Sequence, residues 1–306
     1  MRIAVLGVGG VGGGFGAPLA DSGYDVSFIA RGPHLAAMQQ NGLRIVGERE
    51  THLNPVNVTD SVDSVGVVDF VLLTVKLWAV RDAAATLSPL LHSDTAVVTL
   101  QNGVDAASMV ADVVGATHVM GGVAEISAAI EKPGVIRLNS PYTRIRFGEL
   151  SGSVSARGQA FEAACSAAGI ETKLSTEIEK DLWEKFILLV PISGLTSVTR
   201  ATFGAICQDP ETRALIEDCL REVIAVAKAK GVAVDADSFE KTMTLVDATP
   251  PQGRASMAVD LELGNRLELP WLSGAVVRMG REVGVPTPVN SFINAALKFR
   301  QDGRST

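Results

Sequence analysis

The first thirty-one residues, MRIAVLGVGGVGGGFGAPLADSGYDVSFIAR, restrict what this chain can fold into more than any other stretch. Arg2–Leu6 is a short apolar run rich in β-branched residues that gives way at Gly7 to a cluster of glycines. Gly7, Gly9 and Gly12 stand at G-x-G-x-x-G spacing, after a predicted strand and at the start of a predicted helix, the context in which this spacing carries meaning. Gly7 would permit the tight turn, Gly9 would let backbone approach a pyrophosphate, and Gly12 would allow close helix-on-strand packing. The helix N–H groups would face the anion, so Gly7, Val8, Gly9, Gly10, Val11 and Gly12 are the candidate dinucleotide contacts. A Gly-rich turn can also simply join a strand to a helix. Against that, a helix pattern over residues 15–22 and a second strand over 25–30 complete a βαβ unit of the right length.

The end of the second strand bears on which dinucleotide is bound. NAD sites usually carry Asp or Glu there for the ribose 2′-hydroxyl, whereas this chain reads Phe28-Ile29-Ala30-Arg31-Gly32. A guanidinium pairs two-pronged with a phosphate, so Arg31 argues for NADP(H); the alternative is an exposed loop arginine.

Further along, a helix is expected at residues 34–41 and strands at 43–46 and near 53–58. The run 67–75, VVDFVLLTV, has the unbroken apolar character of a strand buried on both faces of a parallel sheet. It ends at Lys76, and the next strand, 95–100, ends at Gln101-Asn102-Gly103. Ligands of open α/β sheets sit beyond the carboxyl ends of the strands, which is where Lys76 and Asn102 fall. Each has a plainer reading, Lys76 as a solvated charge and Asn102-Gly103 as a turn pair. Hairpin-like strands over 120–148, a helix at 155–168 and a strand at 170–174 complete a domain expected to span residues 1–175.

From Thr176 the pattern changes to long helices, so an all-α domain is expected over 176–306, with one helix from 178 to 203. Lys185 lies in LWEKFILLVPISGL, among Leu182, Trp183, Phe186 and Leu189. Such surroundings would lower the pKa of an ammonium towards the range useful for proton donation. Alternatively, the stem lies along apolar surface while the charge reaches water. The four histidines, His34, His52, His92 and His118, all precede this domain, and Tyr24 and Tyr142 are the only tyrosines. A carbonyl reduced by this chain would then draw its proton most plausibly from lysine. Glu268, three residues after Asn265, reads either as a capping-box-like contact opening a helix or as a carboxylate near Lys185 and the nicotinamide ribose.

Composition excludes several classes. A net charge of −7 provides no general basic surface, so nucleic acid and anionic membrane are not expected as partners. Cys165, Cys207 and Cys219 form no C-x-x-C pair, which fits reduced thiols, no metal site and a cytoplasmic protein. No apolar run is expected to reach the roughly 18 residues of a membrane helix. The exposed faces of the C-terminal helices could support a homodimer.

In order and spacing these residues resemble the 2-dehydropantoate 2-reductases, or ketopantoate reductases. The resemblance covers nearly the whole chain. It rests on GVGGVG at residues 7–12, Ala30-Arg31-Gly32, Thr74-Val75-Lys76, Gln101-Asn102-Gly103, Leu182-Trp183-Glu184-Lys185, and Ser256 twelve residues before Glu268. It implies an α/β Rossmann-type N-terminal domain followed by an all-α C-terminal domain, with NADPH in the cleft, reducing 2-dehydropantoate to pantoate for pantothenate biosynthesis. By the same resemblance, Lys185 is the general acid and Glu268 supports the acid–base network and binds ligand. Asn102 stands at the cofactor and substrate junction, Ser256 binds the substrate carboxylate, and Arg31 and Lys76 contact NADPH. The family commonly has asparagines four and eight residues after the lysine, contacting the substrate hydroxyl. Here those positions are Leu189 and Ser193, so Ser193 is the remaining polar candidate and another small 2-oxo acid becomes the alternative substrate. A protein that binds NADPH without turnover is the third reading.

Overall fold

A computed structural model describes residues 1–304. The chain divides into two compact units, Met1–Gln101 with Asp105–Ile178, and Asn102–Val104 with the chain from Glu179 onward.

The first unit is built on twelve strands: β1 (Arg2–Leu6), β2 (Asp25–Ile29), β3 (Leu43–Gly47), β4 (Thr51–Leu53), β5 (Val58–Thr59), β6 (Phe70–Leu73), β7 (Ala96–Thr99), β8 (Val119–Glu125), β9 (Ala128–Lys132), β10 (Val135–Leu138), β11 (Arg144–Glu149) and β12 (Glu171–Leu174). Its helices are α1 (Gly10–Asp21), α2 (Gly32–Asn41), α3 (Val80–Ala85), α4 (Ala106–Val114) and α5 (Ala156–Ala167). Eight strands form one sheet in the order β12-β11-β8-β7-β6-β1-β2-β5. The six from β8 to β5 are parallel, and β11 joins β8 antiparallel. The apolar runs go to its centre because Ile3, Val5, Leu72 and Val98 are wholly buried there, each such side chain contributing about 1.5–3 kcal/mol. Phe161 of α5 stacks on Phe70 at 4.6 Å and meets Phe147 edge-on at 4.9 Å, fastening that helix to the sheet.

The chain continues from β1 to β2 on one side and returns through β6 on the other. The carboxyl end of β1 is therefore a topological switch point, where open sheets bind ligands.

A second sheet, β4-β3-β10-β9, covers α1. It explains glycines that the dinucleotide spacing leaves over. A Cβ at Gly10 would run into the Ala128 backbone of β9, and one at Gly13 into Ile136 of β10. The expected strand over 53–58 is instead the end of β4 and the start of β5, in different sheets. Pro55, which has no N–H to give a ladder, lies between them. The run 67–75 contributes only Phe70–Leu73 as strand.

The second unit is helical among the described residues: α6 (Ile178–Thr199), α7 (Phe203–Gln208), α8 (Pro210–Ala229), α9 (Ser238–Ala248), α10 (Ser256–Leu263), α11 (Ser273–Val283) and α12 (Pro288–Leu297). The helix expected to reach residue 203 stops at Thr199, because Arg200 takes a left-handed conformation (φ 57°). An 18-residue window of α6 has a mean hydropathy of 1.2, so contrary to expectation one helix is long and apolar enough to cross a membrane. Its apolar side chains instead supply a core: Trp183, Phe186, Ile187, Val190 and Leu195 cluster with Ile216, Leu220 and Val223 of α8. The buried Glu222 accepts hydrogen bonds from the Val289 and Asn290 backbone N–H groups at 2.7 and 3.0 Å, closing the start of α12.

Candidate active site

In the first unit the glycine-rich turn follows β1 directly. Gly7 has φ 102°, a conformation that side chains rarely adopt, and a Cβ there would lie 2.8 Å from the Val75 backbone nitrogen. Gly12 is closed off differently, since its Cβ would overlap the Gly7 carbonyl. At Gly9 a Cβ would meet nothing within 4 Å, so the backbone there borders open space. Gly9 is also the N-cap of α1, and no side chain caps that helix. The first N–H groups of a helix need an acceptor, and an anion such as a pyrophosphate fits an uncapped start beside open space. The residues present therefore fit the phosphates of a dinucleotide.

Arg31 lies one residue beyond Ala30, at the N-cap of α2, with its side chain exposed. Lys76, also exposed, begins the turn after β6, and its Nζ lies 5.7 Å from the centre of the Trp78 ring. His34, in the first turn of α2, accepts a hydrogen bond at Nδ1 from the Gly134 N–H at 3.1 Å, joining α2 to the β9–β10 turn. Burial lowers the pKa of His34, partly opposed by the Val8 carbonyl.

Two polar side chains that sequence reasoning passed over hold these strand ends together. Thr74 Oγ1 donates to the Gly7 carbonyl at 2.6 Å. The buried Gln101 donates through Nε2 to the carbonyls of Leu73 and Val75, at 2.9 and 3.0 Å. Both residues lie in the motifs Thr74-Val75-Lys76 and Gln101-Asn102-Gly103, beside the candidate lysine and asparagine.

Asn102, Lys185, Ser193, Ser256 and Glu268, far apart in sequence, all fall in the second unit. Asn102 is half-buried, and Val104 two residues on packs on the helical core. On α6, Lys185 is half-buried on the same face as Leu182, Leu188, Leu189 and Ile192, which follow the three- and four-residue spacing of one helix side. Ser193 lies deeper, 1% exposed, its Oγ without a hydrogen-bond partner and its carbonyl accepting from Ser197 Oγ at 2.6 Å.

Ser256 is exposed as the first residue of α10. Just before it, the Arg254 guanidinium grips both oxygens of Glu262, at 2.7 and 2.6 Å, and holds that carboxyl below its ordinary pKa.

Glu268 is 6% exposed, in the turn before a short 3-10 segment, Leu269–Trp271. Here the capping-box expectation is corrected. Asn265 opens no helix; its backbone and side-chain nitrogens donate back to the carbonyl and carboxylate of Asp260 at 2.8 and 3.0 Å, closing α10 after the left-handed Gly264. Glu268 makes no capping hydrogen bond. No cluster of potential metal ligands occurs among the described residues.

The sequence model described as "Ketopantoate reductase PanE/ApbA" matches residues 3–152, and the one described as "Ketopantoate reductase PanE/ApbA C terminal" matches residues 177–301. A curated 2-dehydropantoate 2-reductase of Mesorhizobium japonicum is 30% identical over 319 residues, covering 97% of each chain. The crystal structure of 2-dehydropantoate 2-reductase from Geobacter metallireducens GS-15 superposes with a TM-score of 0.91 at 27% identity, covering 98% of this chain and 99% of that one. A D-mandelate dehydrogenase solved with NADH and anilino(oxo)acetate has the same fold, with a TM-score of 0.90 at 21% identity over 98% of both chains. By both halves of its sequence and by its fold, the chain belongs to the ketopantoate reductase PanE/ApbA family of oxidoreductases.

Proposed function

We propose that this protein is an NADPH-dependent reductase of a small 2-oxo acid, with 2-dehydropantoate as substrate and pantoate as product. The observation that carries the reading is the presence in one chain of an open, uncapped α1 start and a lysine set among aliphatic residues on α6. In this reading residues 1–175 bind the nucleotide and residues 176–306 bind substrate and provide the acid. The N–H groups of the Gly7–Gly12 turn hold the pyrophosphate, Arg31 pairs with the 2′-phosphate, and Lys76 adds a second positive charge. When bound, NADPH supplies hydride to the ketone carbon. Lys185 stabilises the negative charge that develops on the ketone oxygen and delivers a proton to it from Nζ. Glu268 supports that proton exchange, Ser256 takes the substrate carboxylate, and Asn102 orients substrate and cofactor.

A second reading is favoured by one observation: Leu189, four residues after Lys185, offers no hydrogen bond, and the Ser193 hydroxyl is buried. A site without such groups discriminates only weakly for or against a substrate hydroxyl. Another small 2-oxo acid would then be the better substrate, with the same cofactor and acid.

Initial rates of NADPH and NADH oxidation with 2-dehydropantoate and a panel of 2-oxo acids test both readings. A kcat/KM for 2-dehydropantoate at least tenfold above the other acids, with NADPH preferred over NADH, is expected. A higher value for another acid selects the second reading. Tight NADPH binding with no turnover of any acid would leave a nucleotide-binding protein without this activity.

A further inference from the structure

Two hydrogen-bonding side chains of the first unit tie together strand ends that belong to separate stretches of the chain. Thr74 bonds to Gly7, 67 residues away, and Gln101 bonds to Leu73 and Val75, 28 and 26 residues away. The first bond fixes the turn after β1 to the end of β6. The second fixes the end of β6 to the end of β7.

The Thr74 contact is tight. A Cβ on Gly12 would overlap the Gly7 carbonyl and come within 2.5 Å of Thr74 Oγ1, so these three groups meet without spare room. The Gly7 carbonyl also accepts from the Gly9 N–H at 2.8 Å. With two donors on it, that carbonyl is held within the protein, while Gly9 borders open space. An outward carbonyl would repel a phosphate; a fixed one leaves the helix N–H groups as the polar lining.

Gln101 acts one strand further on. Its Nε2 hydrogens go to two backbone carbonyls, which fixes the amide's orientation, because the flipped amide would set Oε1 against both oxygens. Its Oε1 is buried without a partner, a cost accepted for that placement. Val75 immediately precedes Lys76, so the amide sets the backbone from which the lysine side chain leaves.

We propose that Thr74 and Gln101 are positioning residues of the nucleotide site, holding the Gly7 turn and the Lys76 turn in the arrangement that receives the dinucleotide phosphates. The proposal rests on the reading that a dinucleotide binds at the Gly7 turn. Thr74→Val swaps the hydroxyl for a methyl group that is larger and cannot donate, displacing the turn. Thr74→Ser keeps the donor. Gln101→Met keeps similar length and removes both hydrogen bonds.

The test is fluorescence titration of the full chain with NADPH and with NADH, beside thermal melting of each variant. For T74V a rise in the NADPH Kd of about tenfold or more is expected, corresponding to about 1.4 kcal/mol. T74S should stay within about threefold of the parent, and Q101M should weaken binding several-fold. Lowered melting temperatures with Kd unchanged within twofold would make the bonds merely structural and overturn the proposal. If T74V does not fold, T74S and Q101M decide it, and an unaltered Kd in Q101M overturns the part assigned to Gln101. Failure of the parent protein to bind either nucleotide would instead overturn the cofactor reading on which the proposal stands.

Discussion

Arg31 and Lys185 are both cations, yet the proposed roles predict opposite kinetic signatures. A positioned general acid contributes about 10²–10⁴-fold to rate, so Lys185→Ala should lower kcat by that order while the NADPH Kd stays within about twofold. Arg31→Ala removes a charge-assisted pair, about 1.5–3 kcal/mol. It should weaken NADPH by about 10–100-fold, leave NADH nearly unchanged and spare kcat at saturating cofactor. Stopped-flow single turnovers beside equilibrium titration separate the two effects. Equal losses of NADPH and NADH in the Arg31 variant would remove the 2′-phosphate contact, and an unaltered kcat in the Lys185 variant would remove the acid. Of the residues expected around Lys185, Trp183 and Phe186 turn into the helical core, whereas the placing of Leu182 and Leu189 on its side of α6 could be read from helical spacing. The burial of Ser193 could not. On a helix, four residues of separation keep two side chains roughly aligned, but only packing against other helices decides which of them reaches water.

At the scale of elements, local signals were legible and long-range pairing was not. The first βαβ unit announced itself because a glycine turn, an apolar run and a second apolar run lie within thirty residues. The second sheet depends on β3 pairing with β10, where Arg44 lies opposite Val135, and nothing in either short stretch specifies the other. Gly10 and Gly13 carried a trace of it, as small residues outside the G-x-G-x-x-G positions. Asn265 and Glu268 failed for the converse reason: a local pattern suggested a helix start, but the left-handed Gly264 made Asn265 the end of the preceding helix.

One buried ion pair allows a test confined to elements remote from the glycine turn. Arg157 of α5 binds both oxygens of Glu149, at 2.7 and 2.6 Å, and also donates to the carbonyls of Thr95 and Thr117, next to the amino ends of β7 and β8. Those ends lie opposite the carboxyl ends at which the nucleotide is proposed to bind. Burial pushes the Glu149 pKa up, but the hydrogen bonds from Arg157 and Ser155 and the guanidinium charge outweigh it, leaving the carboxyl below its ordinary 4.5. A depressed carboxyl pKa stabilises the fold above the unfolded-state value, and that stability disappears as pH falls through the folded value. The side chains are only 10% and 19% exposed, so Glu149→Gln should cost about 3 kcal/mol at pH 7. A unit of this size should then melt about 6–12 °C lower. Melting followed from pH 7 down to pH 3 should show the two proteins converging on the acid side, with the NADPH Kd unchanged at pH 7. A gap that stays constant from pH 7 to pH 3 would show that the loss came from packing and not from the charge.

For the molecule as a whole, a net charge of −7 means that the proposed nucleotide would be drawn in by local cations rather than by the overall field. The chain carries two hydrophobic cores, one around the parallel sheet and one around α6 and α8, so ligand binding can be followed in each separately. A ligand that binds only the folded state at 100 times its Kd adds about 2.7 kcal/mol of stability, a hundredfold slower exchange for amides that open only on unfolding. Hydrogen exchange with NADPH present should therefore slow the core amides of β1, β6 and β7 by up to that factor. Amides of residues 8–12 and 31–35 should gain protection through local contact. Adding a 2-oxo acid to the NADPH-bound protein should extend protection to residues 102–104 and to α6 around Lys185, where substrate is proposed to bind. Protection by NADPH that bypassed β1 and residues 8–12 would place the nucleotide elsewhere, and the glycine turn would then be a strand-to-helix connection and nothing more.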